Sequence, residues 1–118
     1  MKQKSVLALS LTAFILASAC VNIDKIVITT PDLSKIANGE YRGNSKIGPV
    51  KVTLDVYVQN NAITSINIIK HRNGRGEKAE AITSRIIEAQ SLAIDGVSGA
   101  TYSSKAILKA AENALSGK

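Results

Sequence analysis

The chain has 118 residues, with 15 basic and 9 acidic side chains, a net charge of +6 and one cysteine. That length accommodates a single domain and excludes a second. One cysteine excludes an internal disulfide, a CxxCH haem site and an iron–sulfur cluster, and the basic excess is too small to argue for nucleic acid by itself.

Lys2 and Lys4 precede an apolar run from Val6 to about Leu16, and Ala17, Ser18 and Ala19 lead into Cys20. This is the layout of an export signal. Ser5 to Ile23 also runs 19 residues without a charge, close to the roughly 20 that a spanning helix needs. The strongly apolar part is only about a dozen residues, however, and a small-residue triplet before a lone cysteine serves no purpose in such a helix. LASAC resembles the lipobox of bacterial lipoproteins, with Ala17 where the commonest pattern has Leu. The resemblance implies cleavage before Cys20 and lipidation of that residue. Several acyl chains, at about 0.8 kcal/mol per buried methylene, would hold the protein on membrane lipid. The expected organisation is a signal peptide over 1–19, a tether over 20–38 and one domain over 39–118. Without the leader, 13 basic residues stand against 9 acidic.

Val21 to Asn38 mixes polar and β-branched residues around Pro31 without firm periodicity, and PDLSKIANG offers one helical turn. A short strand is expected over Gly39 to Gly43, ended by the turn residues Asn44, Gly48 and Pro49. Val52, Leu54, Val56 and Val58 then alternate with Lys51, Thr53, Asp55 and Tyr57 as the clearest strand in the chain. Asn60 and Asn61 tolerate left-handed backbone and close a hairpin that returns from Ile63 to Lys70. HRNGRGE follows as a glycine-rich connection, and the basic stretch Lys70 to Lys78, lacking interleaved aromatics, reads as a solvated loop. Ala79, Ile82, Ile86 and Ala89 recur at helical spacing within a helix from roughly Glu77 to Leu92. The expected class is α+β: an antiparallel hairpin or small sheet packed against two α-helices.

DGVSGATYSS, Asp95 to Ser104, opens the last helix, whose apolar stripe is Ala106, Ile107, Ala110, Ala111, Ala114 and Leu115. Ser103 or Ser104 is the expected cap and Gly117 the expected stop. The first turn of a helix carries N–H groups outside its hydrogen-bond ladder and about half a positive charge, so a phosphate attached at Thr101 would meet donors and a favourable field. An ordinary capped helix after a glycine turn accounts for the same residues. No Lys, Arg, Asp, Glu or His lies between Asp95 and Lys105, so Thr101 lacks a local base and reads as a substrate rather than a nucleophile. The loop matches neither GxSxG, GxGxxG nor GxxxxGK[ST]. His71, the lone histidine, does not make a metal site by itself.

NGEYRG, KVTLDVYVQNNAITSINIIKH and EAQSLAIDGVSGATYSSKAIL, in this order and spacing, resemble the small FMN-binding domain shared with the C subunit of the sodium-pumping NADH:quinone reductase and the G subunit of its Rnf relatives. The resemblance covers Gly39 to Leu115. It implies FMN, in many members joined by a phosphoester to the threonine ending SGAT, which is Thr101 here. A separate flavin transferase, with FAD as donor, makes that bond, and Asp95 meets the family's acidic position three before Ser98. The resemblance further implies that Ser98, Gly99 and Ala100 present backbone to the phosphate and ribityl chain, with Tyr102, Ser103 and Ser104 as polar contacts. Tyr41 or Tyr57 is an expected ring neighbour. For His71, flavin contact stands beside a place capping the strand in solvent. The implied role is an exported carrier relaying electrons from a membrane oxidoreductase. The alternatives are an FMN-carrying subunit of an extracytoplasmic reductase and a lipoprotein that binds FMN without the ester or serves as a structural module without cofactor.

Overall fold

In a computed structural model, residues 26–72, 80–96 and 100–117 are described. The expected leader, Cys20, the expected connection over 73–79, Ser98 and Gly99 lie outside them.

Alternation along the chain builds the sheet. Val52, Leu54, Val56 and Val58 of β2 (Val50–Gln59) are all buried, while Lys51 is exposed and Thr53 and Tyr57 are half-buried. Strand β3 (Ala62–Arg72) returns antiparallel after Asn60 and Asn61, both left-handed at φ 53° and 63°. Paired positive φ is what a two-residue turn between right-twisted strands requires.

Strand β1 (Gly39–Ile47) pairs with the other side of β2, giving the order β1-β2-β3. It is four residues longer than the Gly39 to Gly43 strand expected from sequence. Asn44 does not turn the chain: it sits opposite Thr53 and accepts a 2.7 Å hydrogen bond from the Thr53 hydroxyl. The reversal falls instead at Gly48, where φ is +57°.

Among the described residues two α-helices cover one face: α1 (Ile82–Ala89) and α2 (Thr101–Ser116). The described part of α1 is shorter than the Glu77 to Leu92 helix expected, because Gln90 turns left-handed and ends it. Its side chain then acts as a short strand edge. Gln90 Oε1 accepts from Ile63 N–H at 2.7 Å, and Nε2 donates to Ile63 O at 2.8 Å and Ile87 O at 2.7 Å. Ile82 and Ile86 of α1 join the buried β2 valines, Leu54, Ile107 and Leu108 in the core.

Helix α2 lies very close to β1. A Cβ on Gly43 would overlap Ala110 O and the Ala114 backbone, and Ser45 Oγ donates to Ala106 O. Gly43 and the alanine stripe therefore let helix and strand backbones approach. Residues 26–38 do not stand away from this domain. Ile26, Ile28, Leu33 and Ile36 pack against the core, and Asp32 caps a 3-10 turn over Leu33–Lys35.

Candidate functional site

Two register shifts in β3 decide what its far end presents. The pairing passes from Ile63 to Ser65 and from Ile68 to Lys70, so Thr64 and Ile69 have no opposite residue on β2. An extra residue reverses the side-chain alternation beyond it. Without the shift at Ile69, the parity of Ile66 and Ile68 would turn Lys70 toward the helices. With it, Lys70 faces out and His71, opposite buried Val52, faces in.

His71 is nearly buried, its side chain 3% exposed. Nε2 lies 3.0 Å from Ser103 Oγ in the first turn of α2, and Nδ1 lies 3.4 Å from Glu80 Oε2 just before α1. In the neutral tautomer with Nδ1–H toward the Glu80 carboxylate, Nε2 is the atom that accepts from the Ser103 hydroxyl. Glu80, His71 and Ser103 thus have the linear order of a nucleophilic triad. Ser103 is only 2% exposed within its helix, however, so its hydroxyl cannot meet a substrate. The arrangement is a brace between β3 and α2, not a catalytic device.

Two places before Ser103 the same turn begins. Thr101 is the first residue of α2 and is exposed, while Ala100 before it is buried. Ser104 N–H, the first in the helical ladder, donates to Ala100 O at 2.9 Å. Ser103 and Ser104 are therefore not caps, as expected from sequence; both are buried inside the first turn, and Ala100 holds the cap position without a side-chain bond. The bare Cα of Gly96 explains the fit: a Cβ there would come within 3.1 Å of Ser104 Cβ. Tyr102 is 39% exposed, with its ring against Gly48, where a Cβ would sit 3.2 Å away. Asp95 is exposed in the approach to the helix.

The first turn of α2 contains no acidic residue. An exposed Thr101, a helix of 16 residues behind it and a first turn without a carboxylate fit a phosphate ester on Thr101. The two tyrosines expected as ring neighbours stand elsewhere. Tyr57 shares the outer face of the sheet with Glu40, its partner in register. The Tyr41 hydroxyl donates to Ala37 O at 2.6 Å, six residues and about 20 Å along β1 from the end of the sheet that meets Thr101. Glu80 and Gly48 were not expected in the site, because neither belongs to a periodic pattern or motif.

Farther from Thr101 on the outer face, Asp55 accepts from Arg42 Nε at 2.7 Å and from Nη2 at 2.9 Å. These bonds hold its carboxyl below the usual aspartate range, against the opposing effect of desolvation. Asp55 is shielded chiefly by the Arg42 side chain lying over it rather than by depth in the protein, and Arg42 itself is 58% exposed.

A family model described as an FMN-binding domain matches residues 45–116, from mid-β1 to the last residue of α2. No curated protein matches the chain.

Proposed function

The chain belongs to the FMN-binding domain family, and we propose that it is an exported, membrane-tethered electron carrier with its flavin joined by a phosphoester to Thr101. The observation carrying this reading is the exposed Thr101 at the first position of α2, in a turn held by His71 through Ser103 and free of carboxylates. FMN held there supplies one- and two-electron chemistry. The chain's part is to present the acceptor, hold a phosphate with first-turn amides and the helix dipole, and keep the turn rigid.

Thr101 Oγ forms its bond to the FMN phosphorus when a flavin transferase presents FAD. The pyrophosphate bond breaks, AMP leaves with the bonding electrons, and the hydroxyl proton passes to a base on the transferase. That base is external because His71 is turned inward to Ser103 and Glu80. Export and tethering are supported by Lys2, Lys4, the apolar run behind them and LASAC ending at Cys20.

Co-production with a flavin transferase, followed by denaturing electrophoresis and intact mass, tests the assignment. The wild-type band is expected to fluoresce and to carry one FMN, and Thr101→Ala to lose both. Retention of the mass shift in Thr101→Ala would move the ester to another residue, and a colourless wild type would remove the covalent bond altogether.

A further inference from the structure

The outer face of the sheet sorts its charges along the strands. Register places Lys46, Lys51 and Arg72 in one row across β1, β2 and β3, and Lys70 stands in the next row opposite Thr53. All four cations are exposed. Like charges directly opposite each other on neighbouring strands destabilise a sheet, and here two such pairs are adjacent. The next carboxylate along β2 on this face, Asp55, is engaged by both Arg42 contacts, and Glu40 lies farther still, opposite Tyr57. Lys51, Thr53, Lys70 and Arg72 line a concavity of about 330 Å³, and among the described residues no apolar side chain joins its wall. That lining suits carboxylates and not an apolar ligand.

The cationic rows occupy the end of the sheet that meets the site. Arg72 follows His71, which reaches Ser103, and Lys46 precedes Ile47 and Gly48, on which Tyr102 rests. A partner seated on these rows would lie beside the sheet end that carries Thr101.

Two anionic surfaces could cover such rows, a bilayer or a protein. The N-terminal segment decides between them. Val27 O accepts from Lys109 Nζ at 3.3 Å and Thr29 N–H donates to Glu112 at 3.1 Å. Lys109 and Glu112 lie on α2, and Glu112 is about 200° around the helix from Ala110 and Ala114, which face β1. The chain therefore enters the domain on its helix side, with the sheet between that entry and the cationic rows. From these observations we infer that Lys46, Lys51, Lys70 and Arg72 form the docking surface for the acidic face of a partner protein that exchanges electrons with this chain. Electrostatic complementarity of this kind sets encounter rate and orientation more than affinity.

Docking itself needs no flavin, so the test uses the full-length chain without one, and its failure would leave the assignment of Thr101 intact. The probes are a flavodoxin as an acidic redox protein, a cytochrome c as a basic one, and vesicles containing phosphatidylglycerol. Amide shifts at about 0.01 M salt are expected at Lys46, Lys51, Thr53, Lys70 and Arg72 with the flavodoxin, to fade toward 1 M salt, roughly as the screening length shortens, and to be absent with cytochrome c. Lys51→Glu alone turns both like-charge pairs of the row, with Lys46 and with Arg72, into opposite-charge pairs, so the fold should persist while flavodoxin binding weakens about tenfold. Shifts centred elsewhere, salt-independent shifts, or shifts on these residues only with vesicles would overturn the inference.

Discussion

Asp55 shows how one side chain can be read wrongly from a pattern and correctly from its partner. Alternation along β2 assigns it to the outer face, where a carboxylate is expected to be solvated, yet it is 3% exposed beneath Arg42. Its carboxyl is held below the ordinary range first by the Arg42 hydrogen bonds and further by the guanidinium charge. A lowered folded-state value means that the pair contributes fully above the unfolded value, about 3.9, and loses that contribution as pH falls through the folded value. The stability gap between wild type and Asp55→Asn in urea unfolding should therefore be constant from about pH 7 to 5 and shrink below about pH 4. A gap that stays the same from about pH 5 down to about pH 3 would mean that the Arg42 pairing is not what stabilises Asp55. Thr101 is nearer the opposite case: its glycine-rich approach and alanine-rich helix place it just before a helix start in sequence, and the structure makes it the first residue of that helix.

Between elements, contact is what sequence patterns do not carry. The hairpin, its asparagine turn and the two helices were all legible, because each follows from a local period or a backbone preference. The two unpaired residues of β3 were not, as Thr64 and Ile69 look like any other strand residues. Yet Ile69 determines that His71 turns inward, and so determines the link to Ser103 across 32 residues of chain. A double-mutant cycle of His71→Ala and Ser103→Ala should give a coupling of about 1 kcal/mol in unfolding free energy. If the brace also positions Thr101, His71→Ala should slow flavin transfer to it, while His71→Gln, which can still accept from Ser103, recovers part of the rate. Additive stability effects with an unchanged transfer rate would reduce the contact to ordinary packing.

At the scale of the molecule, the folding unit extends beyond both the match at 45–116 and the domain start expected at Gly39. Sequence made residues 20–38 a tether because they lack periodicity, and aperiodic segments give no sign of what they lie against. From residue 26 onward this one fills gaps in the helix layer. Ile26, Ile28, Leu33 and Ile36 touch the core, Thr30 Oγ1 accepts from Leu92 N–H at 2.9 Å, and buried Glu112 receives Thr29 N–H. Glu112 also takes a 2.7 Å bond from Lys109, so removing the segment strips one donor from a buried carboxylate and uncovers apolar surface together. A chain beginning at Gly39 should unfold at lower urea than one beginning at Ile26, with the lost Thr29–Glu112 hydrogen bond worth about 1 kcal/mol and the uncovered apolar surface adding to it. Its m-value should also fall, because less surface remains to be exposed on unfolding. Equal midpoints and slopes would make residues 26–38 a tether that merely rests on the domain. A lowered midpoint would make them part of it, and would shorten the reach between Cys20 and the folded protein to residues 21–25.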